Sequence, residues 1–134
     1  MKKRASLIIF LLFSCNIIGQ NWIDDTFFET AITNSSGFDD DREVVVIEFY
    51  ANFNKDNAFK DWDKLKGVKY YRVDIAKAPA AKKKYRIRMA PTLIIFDKEG
   101  YKFKVFKAGL DLLCPVQLPA LQAAVEQSKK ESQF

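Results

Sequence analysis

Histidine is missing from all 134 residues, and cysteine occurs only twice, at Cys15 and Cys114. Without an imidazole there is no Cys–His or Ser–His pair to activate a nucleophile, and no imidazole-based metal site. The five glycines stand singly, so no glycine-rich loop is available to cradle phosphates. No metal and no cofactor are expected. Basic charge is also scarcer than it looks. The net charge of +5 includes Lys2, Lys3 and Arg4, and without residues 1–19 the chain holds 19 basic and 17 acidic residues, a surplus of +2. A nucleic-acid role thereby loses its main support.

The basic start is followed by an apolar run from Ala5 to Phe13, extended weakly by Ile17 and Ile18. That is the pattern of a secretory signal peptide, and the run falls short of the ~20 apolar residues a membrane span needs. The expected division is a signal over residues 1–19 and a domain over 20–134, with cleavage after Gly19 leaving Gln20 at the new N-terminus. The rival is a bacterial lipoprotein signal, in which Leu12-Phe13-Ser14 precede a lipid-bearing Cys15, with Phe13 an awkward residue at that place. The destination is the periplasm or cell envelope of a bacterium, soluble by the first route and held to the membrane only if Cys15 is lipidated. Either route leaves Cys114 as a lone thiol, so no internal disulfide staples the domain.

What the chain does have is core material. Apolar residues make up 49% of it, including twelve phenylalanines, which suits one folded domain rather than a disordered segment. Asp24 and Asp25 precede a helix with Phe28, Ala31 and Ile32 on one face. Asn34 to Gly37 ends it, and Asp39 to Asp41 form a solvated turn. Val44 to Tyr50 is apolar without alternation, as in a strand buried on both faces. Ala58 to Lys66 carries Phe59, Trp62 and Leu65 at steps of three, which predicts an amphipathic helix stopped by Gly67. A second strand covers Val68 to Ile75. Pro79 opens a short helix through Tyr85, on which Lys82-Lys83-Lys84 read as a solvated face. Thr92–Phe96 and Tyr101–Lys107 are strands joined at Asp97-Lys98-Glu99-Gly100. A last helix is predicted from Pro115, with Leu118, Leu121 and Val125 inward, and Asn21-Trp22-Ile23 reads as a short leading strand. Strands and helices in this order make an α/β domain with a central mixed β-sheet flanked by helices on both faces.

The segments "VVVIEFYANF", "YRVDI", "KYRIRMAPTLIIFDKEG" and "FKAGL", in this order, resemble a thioredoxin-like fold of the thioredoxin and protein disulfide isomerase type. The resemblance covers roughly residues 22–128 and places Asn54-Lys55-Asp56-Asn57 where that family carries Cys-X-X-Cys. Thiol–disulfide exchange needs one thiolate that attacks and a second that resolves, and an asparagine amide does neither. The expectation is therefore a protein that is not an enzyme. Pro91, after Ala90, falls at the family's cis-proline, whose backbone edge pairs with extended substrates. Glu48 falls at the family's buried acid, and Arg72 at its basic partner; a carboxylate in a buried strand needs such a partner.

Two classes of function follow. The first is a redox-inactive module that binds an extended peptide or protein in a scaffold or chaperone-like role, using Phe53, the Asn54–Asn57 loop, Ala90, Pro91, Gly109 and Leu110. The second is a monothiol oxidoreductase using Cys114, which precedes Pro115 at the predicted start of the last helix. A helix N-terminus lowers a thiol pKa and raises its reactivity, and the same thiol offers a route to a homodimer. Against both stands the commoner role of a free cysteine as a small buried hydrophobe. Anion or RNA binding through Lys82–Arg88 is the weakest of the readings.

Overall fold

The computed structural model describes residues 21–33 and 42–131. The signal segment, Cys15, the cleavage site, and the turns at 34–37 and 39–41 lie outside the described residues. The elements run β1 (Asn21–Ile23), α1 (Asp25–Thr33), β2 (Val44–Tyr50), β3 (Val68–Asp74), α2 (Pro79–Lys84), β4 (Thr92–Phe96), β5 (Lys102–Lys107) and α3 (Leu118–Glu131). The sheet has the order β1-β3-β2-β4-β5. β1 and β2 flank β3 in parallel, while β4 runs antiparallel to β2 and to β5. β2 is therefore the central strand, which explains its unbroken apolar run: its first six residues are all buried.

The alternation of side chains along β2 divides the core. Val45, Ile47 and Phe49 face one layer with Phe28 and Ile32 of α1 and Ala81 of α2. Val44 and Val46 face the other, where Leu121, Ala124 and Val125 of α3 close the sheet. Helices thus cover both faces. Side chains fix the joints. Asp24 accepts the Thr26 N–H at the start of α1, and Asp25 reaches across to the Ala80 and Ala81 amides of α2, both at 2.8 Å. Gln122 of α3 exchanges two hydrogen bonds with the backbone of Lys66, beside Gly67 in the left-handed region at φ 69°. The β4–β5 hairpin turns at Gly100, φ 85°, with Asp97 Oδ1 accepting the Glu99 and Tyr101 amides.

One predicted helix is absent. Between β2 and β3 there are only 3-10 turns at Asn52–Asn57 and Trp62–Lys64, not a helix over 58–66. The reason lies in the backbone of Phe59. Its N–H goes to the Glu48 carboxylate at 3.2 Å and its C=O to Arg72 at 2.9 Å, so both groups are spent on buried charges. Trp62 and Leu65 still pack against the α3-side core, as their spacing predicted, but from an irregular segment.

Candidate functional site

The C-terminal end of β2 leads into the Asn52–Asn57 turns, and two other loops meet it there. One precedes β4 and contains the Ala90–Pro91 peptide, which is cis; the other follows β5. Asn54 ties all three together. Its Nδ2 donates to Ala90 O and to Leu112 O, each at 2.8 Å, and its Oδ1 accepts from Asn57 Nδ2 at 2.7 Å. Leu112 sits in the left-handed region at φ 57°, closing a turn through its N–H to Gly109 O at 3.0 Å. A leucine bears a steric cost there, and the turn together with the Asn54 bond holds it in place.

This geometry changes the expectation for Asn54. The Asn54–Asn57 loop was expected to take part in binding an extended peptide, but both Asn54 amide hydrogens and its carbonyl oxygen are engaged within the loops. The Ala90 carbonyl, part of the edge expected to pair with a substrate, accepts the Asn54 amide instead, and Ala90 is buried. Asparagine supplies two donors and an acceptor, which suits it to clamp loops together. Lys55 and Asp56 are exposed and Asn57 half-buried. The apolar side chains around this clamp point outward. Phe53 is 79% exposed, Leu110 91% and Leu113 54%. Gly109 is exposed too, while Pro91 is buried beneath the rim. Leu113 carried no signal in the sequence; its exposure depends on the path of the loop after β5.

Glu48 and Arg72 are cross-strand partners in β2 and β3, 0% and 6% exposed. Arg72 Nη2 lies 2.8 Å from Glu48 Oε1 and Arg72 Nε 3.2 Å from the same oxygen. The Tyr70 hydroxyl donates to that oxygen as well. Arg72 also stacks near the rings of Trp22 and Tyr50, at 5.6 and 5.2 Å. Burial pushes the Glu48 carboxyl above its ordinary value, with Arg72 and the Tyr70 and Phe59 hydrogen bonds opposing it. Burial first, and then the Glu48 charge, push the Tyr70 phenol upward too. The arrangement carries no reacting group of its own. Its visible work is to anchor the Phe59 segment.

Cys114 does not stand at a helix N-terminus. α3 begins at Leu118, and Pro119 rather than Pro115 takes the place in its first turn. The thiol is half-buried and its Sγ contacts Val116 O at 3.3 Å. Burial raises its pKa instead of lowering it, which leaves less thiolate at neutral pH. It borders an open cleft of about 520 Å³ shared with Asn57, Phe59 and Gln117. Among the described residues no cluster of His, Cys, Asp or Glu is arranged to hold a metal ion, and no helix is long and apolar enough to cross a membrane.

No protein-family model matches the sequence, and no curated protein does. Solved structures do. A mutant thioredoxin from Halobacterium salinarum superposes with a TM-score of 0.61 at 16% identity, over 81% of this chain and 89% of that one. Malassezia sympodialis thioredoxin gives 0.57 at 24% identity, over 82% and 90%, and Chlamydomonas reinhardtii thioredoxin f2 gives 0.58 at 15%, over 81% and 95%. The chain has a thioredoxin-like fold. Identity at this level establishes the architecture and leaves the activity to be argued from the site.

Proposed function

We propose that this is an exported, redox-inactive thioredoxin-like domain that binds a protein partner through the loop end of its sheet, in a scaffold or chaperone-like role. The observation that carries the reading is the Asn54 clamp with its rim. One amide locks three loops, and Phe53, Leu110 and Leu113 are held out into solvent around it. Large apolar groups on a pre-ordered frame lose little entropy on binding and form the kind of anchor that dominates interfaces. The partner's main contact is then with apolar side chains rather than with the Ala90 edge. The monothiol alternative is weakened by the raised pKa and partial burial of Cys114.

The test begins with affinity capture from the source cell envelope and identification of the captured protein. That protein is then purified and titrated against the wild type and a Phe53→Ser/Leu110→Ser variant. The expected loss is at least about thirtyfold, the scale of an interface hot spot, with an unchanged circular dichroism spectrum. Unchanged affinity of the folded variant overturns the proposal.

A further inference from the structure

Two adjoining clefts lie behind the Ala90–Pro91 loop, of about 400 and 420 Å³, sharing Arg86, Ile87 and Arg88. Lys107 at the end of β5 borders the first, and Lys82 and Lys83 of α2 border the second. Five cations from three parts of the chain therefore converge. Among the described residues no acidic side chain lines either cleft, and no ion pair engages any of the five. The next lysine along α2, Lys84, is by contrast paired with Glu29 at 2.7 Å. The walls of the first cleft are apolar between the charges, through Ile87, Met89 and Ala108.

Arg86 adds a separate observation. α2 ends with the Arg86 N–H bonded to Lys83 O at 3.2 Å and the Ile87 N–H to Lys82 O at 2.9 Å, a Schellman closure. In that closure Arg86 takes the left-handed position, φ 53°, which glycine adopts freely and any residue with a Cβ adopts at a cost. An arginine held at a glycine position, bordering both clefts, points to a role for its guanidinium outside the fold's own stability.

We propose that these clefts bind the carboxylates of an acidic, apolar-flanked peptide segment. Guanidinium groups engage carboxylates through paired N–H donors, and the apolar walls take the flanking side chains. Among the described residues no aromatic ring lines either cleft, which disfavours single-stranded nucleic acid, whose bases need a stacking platform. The proposal deepens the protein-binding reading above and rests on it for the source of the peptide, because Met89 and Ala108 lead directly into the Ala90 and Gly109–Leu110 loops.

The test uses a fluorescein-labelled Glu-Glu-Leu-Glu-Glu-Leu peptide, its Lys-Lys-Leu counterpart and a hexathymidylate, each titrated by anisotropy against the purified protein. The acidic peptide should bind, weaken with added salt, and outcompete the oligonucleotide. Arg86→Gly should cut its affinity about tenfold or more while the melting temperature holds or rises, since glycine relieves the left-handed strain. Arg88→Gln should weaken binding in the same sense. Absence of acidic-peptide binding at low salt, equal affinity in Arg86→Gly, or preference for the oligonucleotide would each overturn the proposal. Because the probe is synthetic, this outcome is read independently of whether the Phe53 and Leu110 variant loses its captured partner.

Discussion

Replacing Arg72 by leucine strips Glu48 of its two closest guanidinium contacts and leaves Phe59 O without the Arg72 hydrogen bond. What remains for the carboxylate is the Tyr70 hydroxyl and the Phe59 amide, in a site with no solvent access. Breaking a buried pair in this way costs about 3–5 kcal/mol, whereas replacing both partners by leucine should recover much of that loss. The pH dependence has a definite sign. The folded pKa of Glu48 is raised above its ordinary value of 4.5, so the folded state binds more protons than the unfolded one between those two values. Glu48 therefore makes stability fall as pH rises through that window. Arg72 opposes the upward shift, so Arg72→Leu widens the window, and mild acid should partly rescue the variant relative to neutral pH. Urea unfolding, followed by tryptophan fluorescence from Trp22 and from Trp62 stacked on Tyr70, gives the free energies for wild type, both single variants and the double. Zero coupling in that cycle, or an Arg72→Leu variant less stable at mild acid than at neutral pH, would refute the reasoning.

The Asn54 clamp should also register in stability. Asn54→Ala leaves Ala90 O and Leu112 O without their amide donor and should cost about 1–3 kcal/mol, with faster amide exchange in the loop after β5. Ser128 lies 1% exposed in α3 with its Oγ unpartnered among the described residues, so Ser128→Ala should stabilise the domain by about 1 kcal/mol in the same urea assay.

The strands were legible because apolar runs and their turn residues act locally. Thr92–Phe96 appears at the bounds its sequence predicted, between the cis-proline and the Asp97 turn. The segment after Ala58 was misread because a helical spacing of Phe59, Trp62 and Leu65 reports which side chains face the core, not where the backbone bonds go. Glu48 and Arg72 claim the Phe59 backbone from strands remote in sequence. Cys114 was placed at a helix start because Pro115 is a good first-turn residue, yet Pro119 is another, and packing of α3 chose the later one. The clamp was half legible. Two asparagines three apart could be seen, but the carbonyls Asn54 holds, Ala90 O and Leu112 O, lie 36 and 58 residues away in sequence. The basic clefts needed the fold as well, since only the β4–β5 hairpin brings Lys107 beside Arg86 and Arg88.

The central claim is that a thioredoxin-like fold here serves binding without thiol chemistry, and a disulfide-reduction assay tests it most directly. Insulin reduction with dithiothreitol as electron donor should show no rate above background for the wild type or for Cys114→Ser, because the resemblance assigns Asn54 and Asn57 to the thiol-pair positions and the Cys114 thiol is half-buried with a raised pKa. Catalysed reduction by the wild type, whether lost or kept in Cys114→Ser, would contradict the account.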